Sequence, residues 1–368
     1  MTAADYSRAL ICAALRGEKP PEKPDSLTFQ EVLTFAHRHK LENICLAAIR
    51  KLETQPDAAV MREWSGFCNA NLAQTIVQEQ EKQRLVRAFN EAQIPFLPMK
   101  GWYLRGMYPQ PEHRFMSDLD VLIHREDRYR AAQVMRGLGY SGGPGDYGSD
   151  DSYHREPFLH VELHLDLINL VLEDWNAYYQ DIWERAVPAG ESEYALSWSE
   201  YYIYMVVNFA KDYEGKGTGV RSVLDFYLFL EKHGGELDLA HVDRELARLG
   251  IRELAEAAVE LAYEWFGQSG TGGRHAELAA KLERDGIFGS LRQNIGNRFA
   301  KMTEKSRSLR GKKISFLLQR AFPGRKLMRY KFPVLEKAPF LLPLFWVIRW
   351  CRHSKRIRQE IETLREIR

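Results

Sequence analysis

Hydrophobic residues in the first ninety positions recur every three or four residues, which is the spacing of helices that each bury one face. The pattern is clearest in LTFQEVLTFAHRHKLENICLAAIRKL, at residues 27–52. A proline-rich break, KPPEKPDS, precedes it, and Ser26 there is a candidate N-cap because its hydroxyl can accept a hydrogen bond from an early backbone N–H. We expect a long helix from about Ala70 to Ala92, so that Tyr6 to Glu91 forms a helical region.

The pattern changes at Ile94, where apolar and polar residues begin to alternate as in strands. Three segments predict strands: IPFLPMKG, FMSDLDVLI and REPFLHVELHLDLIN. GWYLRGMYP and REDRYRAAQVMRGLGY predict helices between them, and SGGPGDYGSDDS predicts a loop because it is rich in glycine. The resulting β-α-β-α-β unit, with helical sequence on both sides, predicts an α+β fold: a small mixed sheet embedded between helical regions.

Helical periodicity returns after the third strand and is strongest at 200–210, 220–232 and 251–267. We therefore divide the chain into four parts: an N-terminal helical region (1–92), an α/β core (93–170), a helical domain (171–300) and a basic helical tail (301–368).

Charge separates the tail from the rest of the chain. The net charge is only +2, but residues 301–368 contain 19 Lys and Arg against 5 Asp and Glu, which leaves 33 basic and 45 acidic residues elsewhere. The tail is therefore expected to contact an anionic surface, to pack on the acidic body, or to form a solvated basic helix.

Targeting signals give a cytoplasmic prediction. The four cysteines have neither zinc-site nor disulfide-framework spacing, and the N-terminus lacks a secretory signal. The most apolar run, PFLLPLFWVIRW at 339–350, is too short to span a bilayer, so no transmembrane segment is predicted. It predicts either a buried helix or a helix lying at a membrane interface, flanked by Arg349, Arg352, Lys355 and Arg356.

Two of the predicted strands carry chemistry on one face. Asp118 and Asp120 alternate with apolar residues, so both carboxylates point the same way and could hold one Mg²⁺ and reach a second. In HVELHLDL the residues on one face are all acids or imidazoles, namely His160, Glu162, His164 and Asp166. A strand with one solvated side explains the second pattern equally well.

A third element, Lys100-Gly101, ends the first predicted strand. Glycine at a strand-to-helix turn lets the backbone approach a ligand, and the N-terminus of the following helix suits a phosphate. Lys100 could add a positive charge.

Together these segments resemble the polymerase-beta-like nucleotidyltransferase superfamily, and more narrowly an uncharacterised bacterial nucleotidyltransferase family, over residues 30–235. The matching motifs are Lys100-Gly101, Tyr108-Pro109, Arg114, Asp118-Leu119-Asp120-Val121-Leu122 and Glu162-Leu163-His164, with Arg221 and Asp225 downstream. The larger superfamily usually has Gly-Ser or Gly-Gly in place of Lys100-Gly101.

The resemblance implies transfer of a nucleoside monophosphate from a nucleoside triphosphate to a hydroxyl of an acceptor that the sequence does not identify: a protein, a small molecule or an RNA. It implies that Asp118, Asp120 and Glu162 are catalytic and bind Mg²⁺ or Mn²⁺. Nucleotide binding falls to Lys100, Gly101 and Arg114. The auxiliary candidates are His164, Asp166, Arg221 and Asp225.

Several alternatives stay open. Asp166 competes with Glu162 as the third carboxylate, and Arg221 with Asp225 could be an intrahelical ion pair or line the cleft. The protein could keep the fold without catalysis. The basic tail could direct it to a nucleic acid, or residues 340–350 could bind it peripherally to a membrane.

Overall fold

Four helices form the N-terminal region of this protein, whose structure is a computed structural model. It describes residues 1–144, 150–168, 172–267, 273–287, 318, 321–325, 328–329, 332 and 334–350. The helices are α1 (Ala3–Arg16), α2 (Phe29–His39), α3 (Glu42–Ile49) and α4 (Ala58–Glu91). Helices therefore occupy most of the span over which the hydrophobic periodicity predicted them.

Two helix boundaries in this region differ from the prediction. α2 is capped by Thr28, not by Ser26: the Thr28 hydroxyl accepts a hydrogen bond from Glu31 N, and Glu31 accepts one from Thr28 N in return. This reciprocal arrangement satisfies two free backbone donors at once. α4 begins at Ala58, well before Ala70, because the side chain of Asp57 caps Ala59 N and Val60 N.

A five-stranded sheet follows α4. Its strands are β1 (Phe96–Pro98), β2 (Leu119–Ile123), β3 (Ser141–Gly143), β4 (Asp150–Arg155) and β5 (Leu159–His164), in the spatial order β1-β2-β5-β4-β3. β2 and β5 pair in parallel, whereas every other pair is antiparallel. The short α5 (Gly101–Leu104) and the longer α6 (Arg128–Gly137) lie between strands in sequence. The predicted α+β class with a small mixed sheet is confirmed.

The sheet has two strands more than predicted. The segment 141–152, predicted as a loop, supplies β3 and the start of β4, and residues 145–149 lie outside the described residues. The predicted third strand is in fact the end of β4, a turn, and β5. Its alternating pattern continued to residue 169, but the strand ends at His164, so Asp166 lies beyond it.

The second half of the chain is mostly helical. Its elements are α7 (Glu173–Tyr178), α8 (Ile182–Arg185), a hairpin of β6 (Val187–Pro188) and β7 (Tyr194–Ala195), α9 (Trp198–Glu214), α10 (Val220–His233), α11 (Leu239–Arg248), α12 (Arg252–Phe266), α13 (Ala276–Asp285) and, in the tail, α14 (Val334–Lys337). Much of the predicted basic tail lies outside the described residues.

The sheet lies between two hydrophobic cores. Leu119, Val121 and Ile123 pack with α4 and α6 in the smaller one. Leu122 faces the larger core, which joins helices from both ends of the chain, from Tyr6 in α1 to Leu282 in α13. The N-terminal helices therefore pack with the helical domain in one core. Among the described helices, none has the length and hydrophobicity required to cross a membrane.

His39 links the N-terminal helices to the helical domain. Its buried imidazole accepts a hydrogen bond from Val220 N at Nδ1 (3.3 Å), while Nε2 lies 3.1 Å from the carbonyl of Glu283. A neutral ring with its proton on Nε2 satisfies both contacts. Protonation of Nδ1 would set an N–H against the Val220 N–H. Burial, only partly opposed by the Glu283 carbonyl, lowers the pKa of His39 to about 4.

We expect His39 to make the protein less stable as the pH is lowered. An unfolded histidine titrates near pH 6.5. Between pH 6.5 and about 4 the unfolded state binds a proton on this histidine and the folded state does not. The contribution of His39 to the free energy of unfolding is therefore complete above pH 6.5 and decreases as the pH is lowered below it. His39 should cost about 2 kcal/mol at pH 5 relative to pH 8. Urea unfolding at the two pH values should show this loss shrinking in His39→Gln but not in the control His124→Gln. An equal loss in both variants would contradict the assignment.

Candidate active site

Parallel pairing of β2 with β5 places the key carboxylates side by side. Asp120 and Glu162 are direct partners in the register, so their side chains emerge on the same face of adjacent strands. Asp118 lies just before β2. One carboxylate oxygen of Asp118 and one of Glu162 lie within 4.8 Å of each other and of a nitrogen of His160. The structure therefore brings together the three acids singled out in the sequence.

Asp120 is buried and has a lysine and a histidine as neighbours. Lys100 Nζ lies 2.5 Å from its Oδ1, and His164 Nε2 lies 2.8 Å from the same oxygen. Burial would raise the pKa of Asp120, but Lys100 and the hydrogen bond from His164 outweigh it and hold this pKa well below its usual range. The same contacts raise the pKa of Lys100 and of His164 against the opposing effect of burial. Asp120 therefore stays ionised, with a positive charge beside it.

The other two carboxylates differ in their surroundings. Burial and the neighbouring charge of Asp120 raise the pKa of Asp118. Glu162 has a lowered pKa, chiefly because it accepts a hydrogen bond from His164. His164 thus contacts two of the acids, at 2.8 and 3.5 Å.

The donor atoms fit a divalent cation. Asp118, His160 and Glu162 form one set of three side chains with ligand atoms within 4.8 Å of one another, and Asp120, Glu162 and His164 form a second. Carboxylate oxygens suit Mg²⁺ and Mn²⁺, whereas imidazole nitrogen suits the transition metals. Because Glu162 belongs to both sets, it is the residue that could bridge two ions.

Lys100 has a strained backbone. It has φ 47° and ψ −117°, and Trp102 N donates to Met99 O across it at 3.0 Å. These are the features of a type II′ turn, in which Lys100 occupies the position that glycine normally takes. A non-glycine residue in this conformation costs about 1–3 kcal/mol. The turn is held by the hydroxyl of Tyr201, which donates to Lys100 O, and the lysine side chain is thereby aimed at Asp120.

Gly101 is required for a different reason from the one expected. A Cβ there would lie 2.4 Å from Met116 Sδ and 2.7 Å from Arg114 Nη1. The backbone at Gly101 thus lies close to the side chains of Met116 and Arg114, whereas the sequence suggested a close approach to a ligand. The following helix, α5, has only four residues, so it supplies little of the dipole expected for phosphate binding.

Arg114 and Asp225 form a buried bidentate pair. Arg114 Nε and Nη2 each donate to one oxygen of Asp225 at 2.8 Å, and the Tyr108 hydroxyl donates to Oδ1 at the same distance. The Arg114 guanidinium, expected at a triphosphate, is therefore already bound on two of its nitrogens. Asp225, on α10, thus accepts hydrogen bonds from Arg114 and Tyr108, which both precede β2 in the chain. Arg221, also on α10, donates from Nη1 to Phe115 O at 2.8 Å. Of the two alternatives left open for Arg221 and Asp225, these contacts fit the one in which both residues line the cleft.

These groups surround a cavity of about 210 Å³ between the sheet and helices α9 and α10. Asp118, Asp120 and Lys100 line the wall on the sheet side, and Arg221, on α10, belongs to the helical wall. Arg221 is half-buried, and its inaccessible Nε has no hydrogen-bond partner within the part of the chain that the structure describes. A buried donor without a partner is costly, so this wall favours an acceptor-rich ligand.

Sequence reasoning missed the lysines of the helical wall. Lys211 lines the cavity from α9 and donates to Asn208 Oδ1 at 2.9 Å, and the exposed Lys216 follows in the turn before α10. Burial lowers the pKa of Lys211. The signal was the segment KDYEGKGTG, two lysines near glycines between strong helices, which could have suggested an anion-binding turn.

Asp166 does not join the cluster. It pairs with the exposed Arg125 at 2.7 Å, and it belongs to neither of the two sets of ligand atoms. Among the described residues, Glu162 is therefore the acid on β5 that lies next to Asp118 and Asp120.

Comparison with known proteins assigns the chain to a family. The profile of a family described as uncharacterised nucleotidyltransferase matches residues 25–267, and the chain belongs to that family. Comparison with curated proteins gave no match. One similar solved structure is the antibiotic-resistance factor ANT(2'')-Ia, with 17% identity and a TM-score of 0.34, over 52% of this chain and 98% of that one.

The strained turn gives a testable comparison of two variants. Lys100→Met and Lys100→Gly both remove the ammonium beside Asp120, but only glycine relieves the backbone strain. We expect Lys100→Met to be the less stable of the two by about 1 kcal/mol, as measured by urea unfolding. Equal stabilities would mean that the turn carries no strain.

Proposed function

We propose that this protein transfers a nucleoside monophosphate from a nucleoside triphosphate to a hydroxyl acceptor, with Mg²⁺ or Mn²⁺ as cofactor. The observation that carries the proposal is the pairing of Asp120 with Glu162 across two parallel strands, with Asp118 beside them at the cavity. Asp118 and Asp120 line the cavity together with Lys100, Lys211, Lys216 and Arg221. Carboxylates and cations along one cavity suit a ligand that carries both a metal and phosphates. Membership of the family supports the same reaction.

Asp118, Asp120 and Glu162 would hold the cation. When bound there, a divalent ion polarises phosphoryl oxygens and makes an acceptor hydroxyl easier to ionise. Glu162 would serve as the general base because its carboxylate is less buried than that of Asp120 and the contact with His164 fixes its orientation. It would take the proton of the acceptor hydroxyl as that oxygen attacks the α-phosphorus and pyrophosphate departs.

The basic groups would bind the triphosphate. Lys211, Lys216 and Arg221 line the cavity from the helical side, where they could stabilise the charge on the leaving pyrophosphate. Lys100 stands beside Asp120 and would stabilise charge developing at the reacting phosphate. Arg114, bound to Asp225, would act by holding α10 against the loop that leads into β2.

Substitution of the acids tests the chemistry. In an assay that follows label from each of the four α-labelled triphosphates into a cell extract, Asp118→Asn with Asp120→Asn should abolish incorporation. Glu162→Gln should lower it by about 10²–10⁴, the usual range for loss of a general base. The control Asp166→Asn removes a carboxylate from the same segment of chain and should label as well as wild type. Full activity in the double variant would overturn the proposal.

Nucleotide binding can be tested without turnover. A non-hydrolysable triphosphate with Mg²⁺ should raise the melting temperature of the wild type, because a ligand that binds only the folded state stabilises it. The shift should shrink in Lys211→Met and Lys216→Met, since each loses a positive charge at the cavity, and should persist in Lys19→Met, which lies in the N-terminal region. An undiminished shift in both cavity variants would exclude this binding site. A normal shift without labelling of any acceptor would favour the catalytically inactive alternative.

A further inference from the structure

The apolar segment near the C-terminus has an exposed apolar face. Residues 342–350 are helical and follow a short 3₁₀ turn, Pro339–Leu341. Within 338–350 the exposed residues are Phe340, Pro343, Leu344 and Val347. Phe340 is 78% exposed, Leu344 53% and Val347 48%. Because Phe340, Leu344 and Val347 are spaced by three or four residues, they lie on one side of the segment, and we call these three residues the apolar stripe.

The opposite side of the same helix is packed. Phe345 and Trp346 lie against a small cluster built from Met328, Phe332 and Leu335. The indole N–H of Trp346 donates to Pro323 O at 3.2 Å, and that of Trp350 donates to Ala321 O at 2.7 Å. The segment is therefore held by its inner side, which fixes the apolar stripe on the outside.

This distribution is the reverse of an ordinary surface helix. Arg349 is the only charged residue of the segment 338–350, and it is buried with 6% exposure. Single exposed apolar residues are common on protein surfaces, but three large ones that share one side of a short segment mark an interaction site.

Positive charge is concentrated in the same part of the sequence as the apolar stripe. Arg325, Arg329 and Lys337 are exposed in the described part of the tail. The sequence continues with further basic residues at Arg352, Lys355, Arg356 and Arg358, and residues 301–368 contain 19 basic residues against 5 acidic ones. A partner that fits must combine an apolar layer with negative charge.

We propose that the apolar stripe and the basic residues around it dock this protein on the surface of a bilayer containing anionic lipids. The segment is too short to span the hydrocarbon layer, which takes about 20 residues. A helix with one apolar face and neighbouring lysines and arginines lies in the interface instead, with its apolar side chains among the acyl chains and its basic ones at the headgroups. The active cavity would then work close to a membrane.

Vesicle co-sedimentation of the full chain tests this. Vesicles of phosphatidylcholine alone are compared with vesicles in which a third of the lipid is phosphatidylglycerol. We expect strong binding to the anionic vesicles, weak binding to the neutral ones, and a several-fold loss between 0.1 and 0.5 M NaCl because salt screens the attraction. Absence of binding to anionic vesicles would overturn the proposal.

Two triple variants separate the apolar stripe from apolar surface in general. Phe340→Ser, Leu344→Ser and Val347→Ser together should weaken partitioning into anionic vesicles by about tenfold or more, since each removes an apolar side chain from the acyl layer. The control combines Ile76→Ser, Val187→Ser and Leu239→Ser, three similarly exposed residues elsewhere, with exposures of 51%, 50% and 67%, and should bind like wild type. Unchanged melting temperatures would show that both variants fold. Equal binding by the stripe variant and wild type would refute the role of the apolar stripe.

Two other partners give different results. If the tail serves an RNA, a single-stranded RNA added in excess will release the protein from the vesicles, and the stripe variant will bind that RNA as wild type does. If a second copy of the chain covers the apolar stripe, sedimentation velocity without lipid will show a dimer that the stripe variant loses. Either result would overturn membrane docking.

Discussion

The buried carboxylate of Asp120 sets the conditions for the whole site. It emerges from the middle of a sheet that is covered on both sides, where an uncompensated charge is very costly. Lys100 and His164 supply the compensation. Lys100 does so from a backbone conformation that only glycine adopts without strain. The backbone strain at Lys100 is smaller than the cost of burying the Asp120 carboxylate without a partner. The glycine usual at this position in the wider superfamily could not place an ammonium beside the acid.

The cavity depends on parts of the chain that are distant in sequence. β2 and β5 supply the acids, the turn after β1 supplies Lys100, and α9 and α10 supply the facing cations. α1 and α2 pack in the same hydrophobic core as these helices, and His39 bonds directly to Val220 at the start of α10. Integrity of the N-terminal helices is therefore a condition for the shape of the cavity.

Sequence patterns predicted the acid cluster well because strand alternation is a local rule. Residues two positions apart on a strand share a face, and this rule by itself grouped Asp118 with Asp120, and Glu162 with His164. The partners of these groups depend on packing between distant elements. No local rule joins Arg114 to Asp225 or Arg221 to Phe115, so the nearby spacing of Arg221 and Asp225 suggested a pairing that the fold does not use. β3 and β4 were not predicted because the glycine-rich sequence there is typical of a loop. Asp166 was assigned to the strand because the alternating pattern of the sequence continues beyond the last residue that pairs with a neighbouring strand.

The bidentate contact between Arg114 and Asp225 also bears on how the protein meets its ligand. Arg114 lies in the loop before β2 and Asp225 lies on α10. Their contact therefore fixes the distance between the two sides of the cavity before a ligand binds. The recess is therefore preorganised, and little conformational entropy remains to be lost on association. Affinity would then depend mainly on how well an incoming molecule replaces the water around the fixed charges. A molecule of the wrong width would bind poorly because the walls of the cavity cannot move to accommodate it.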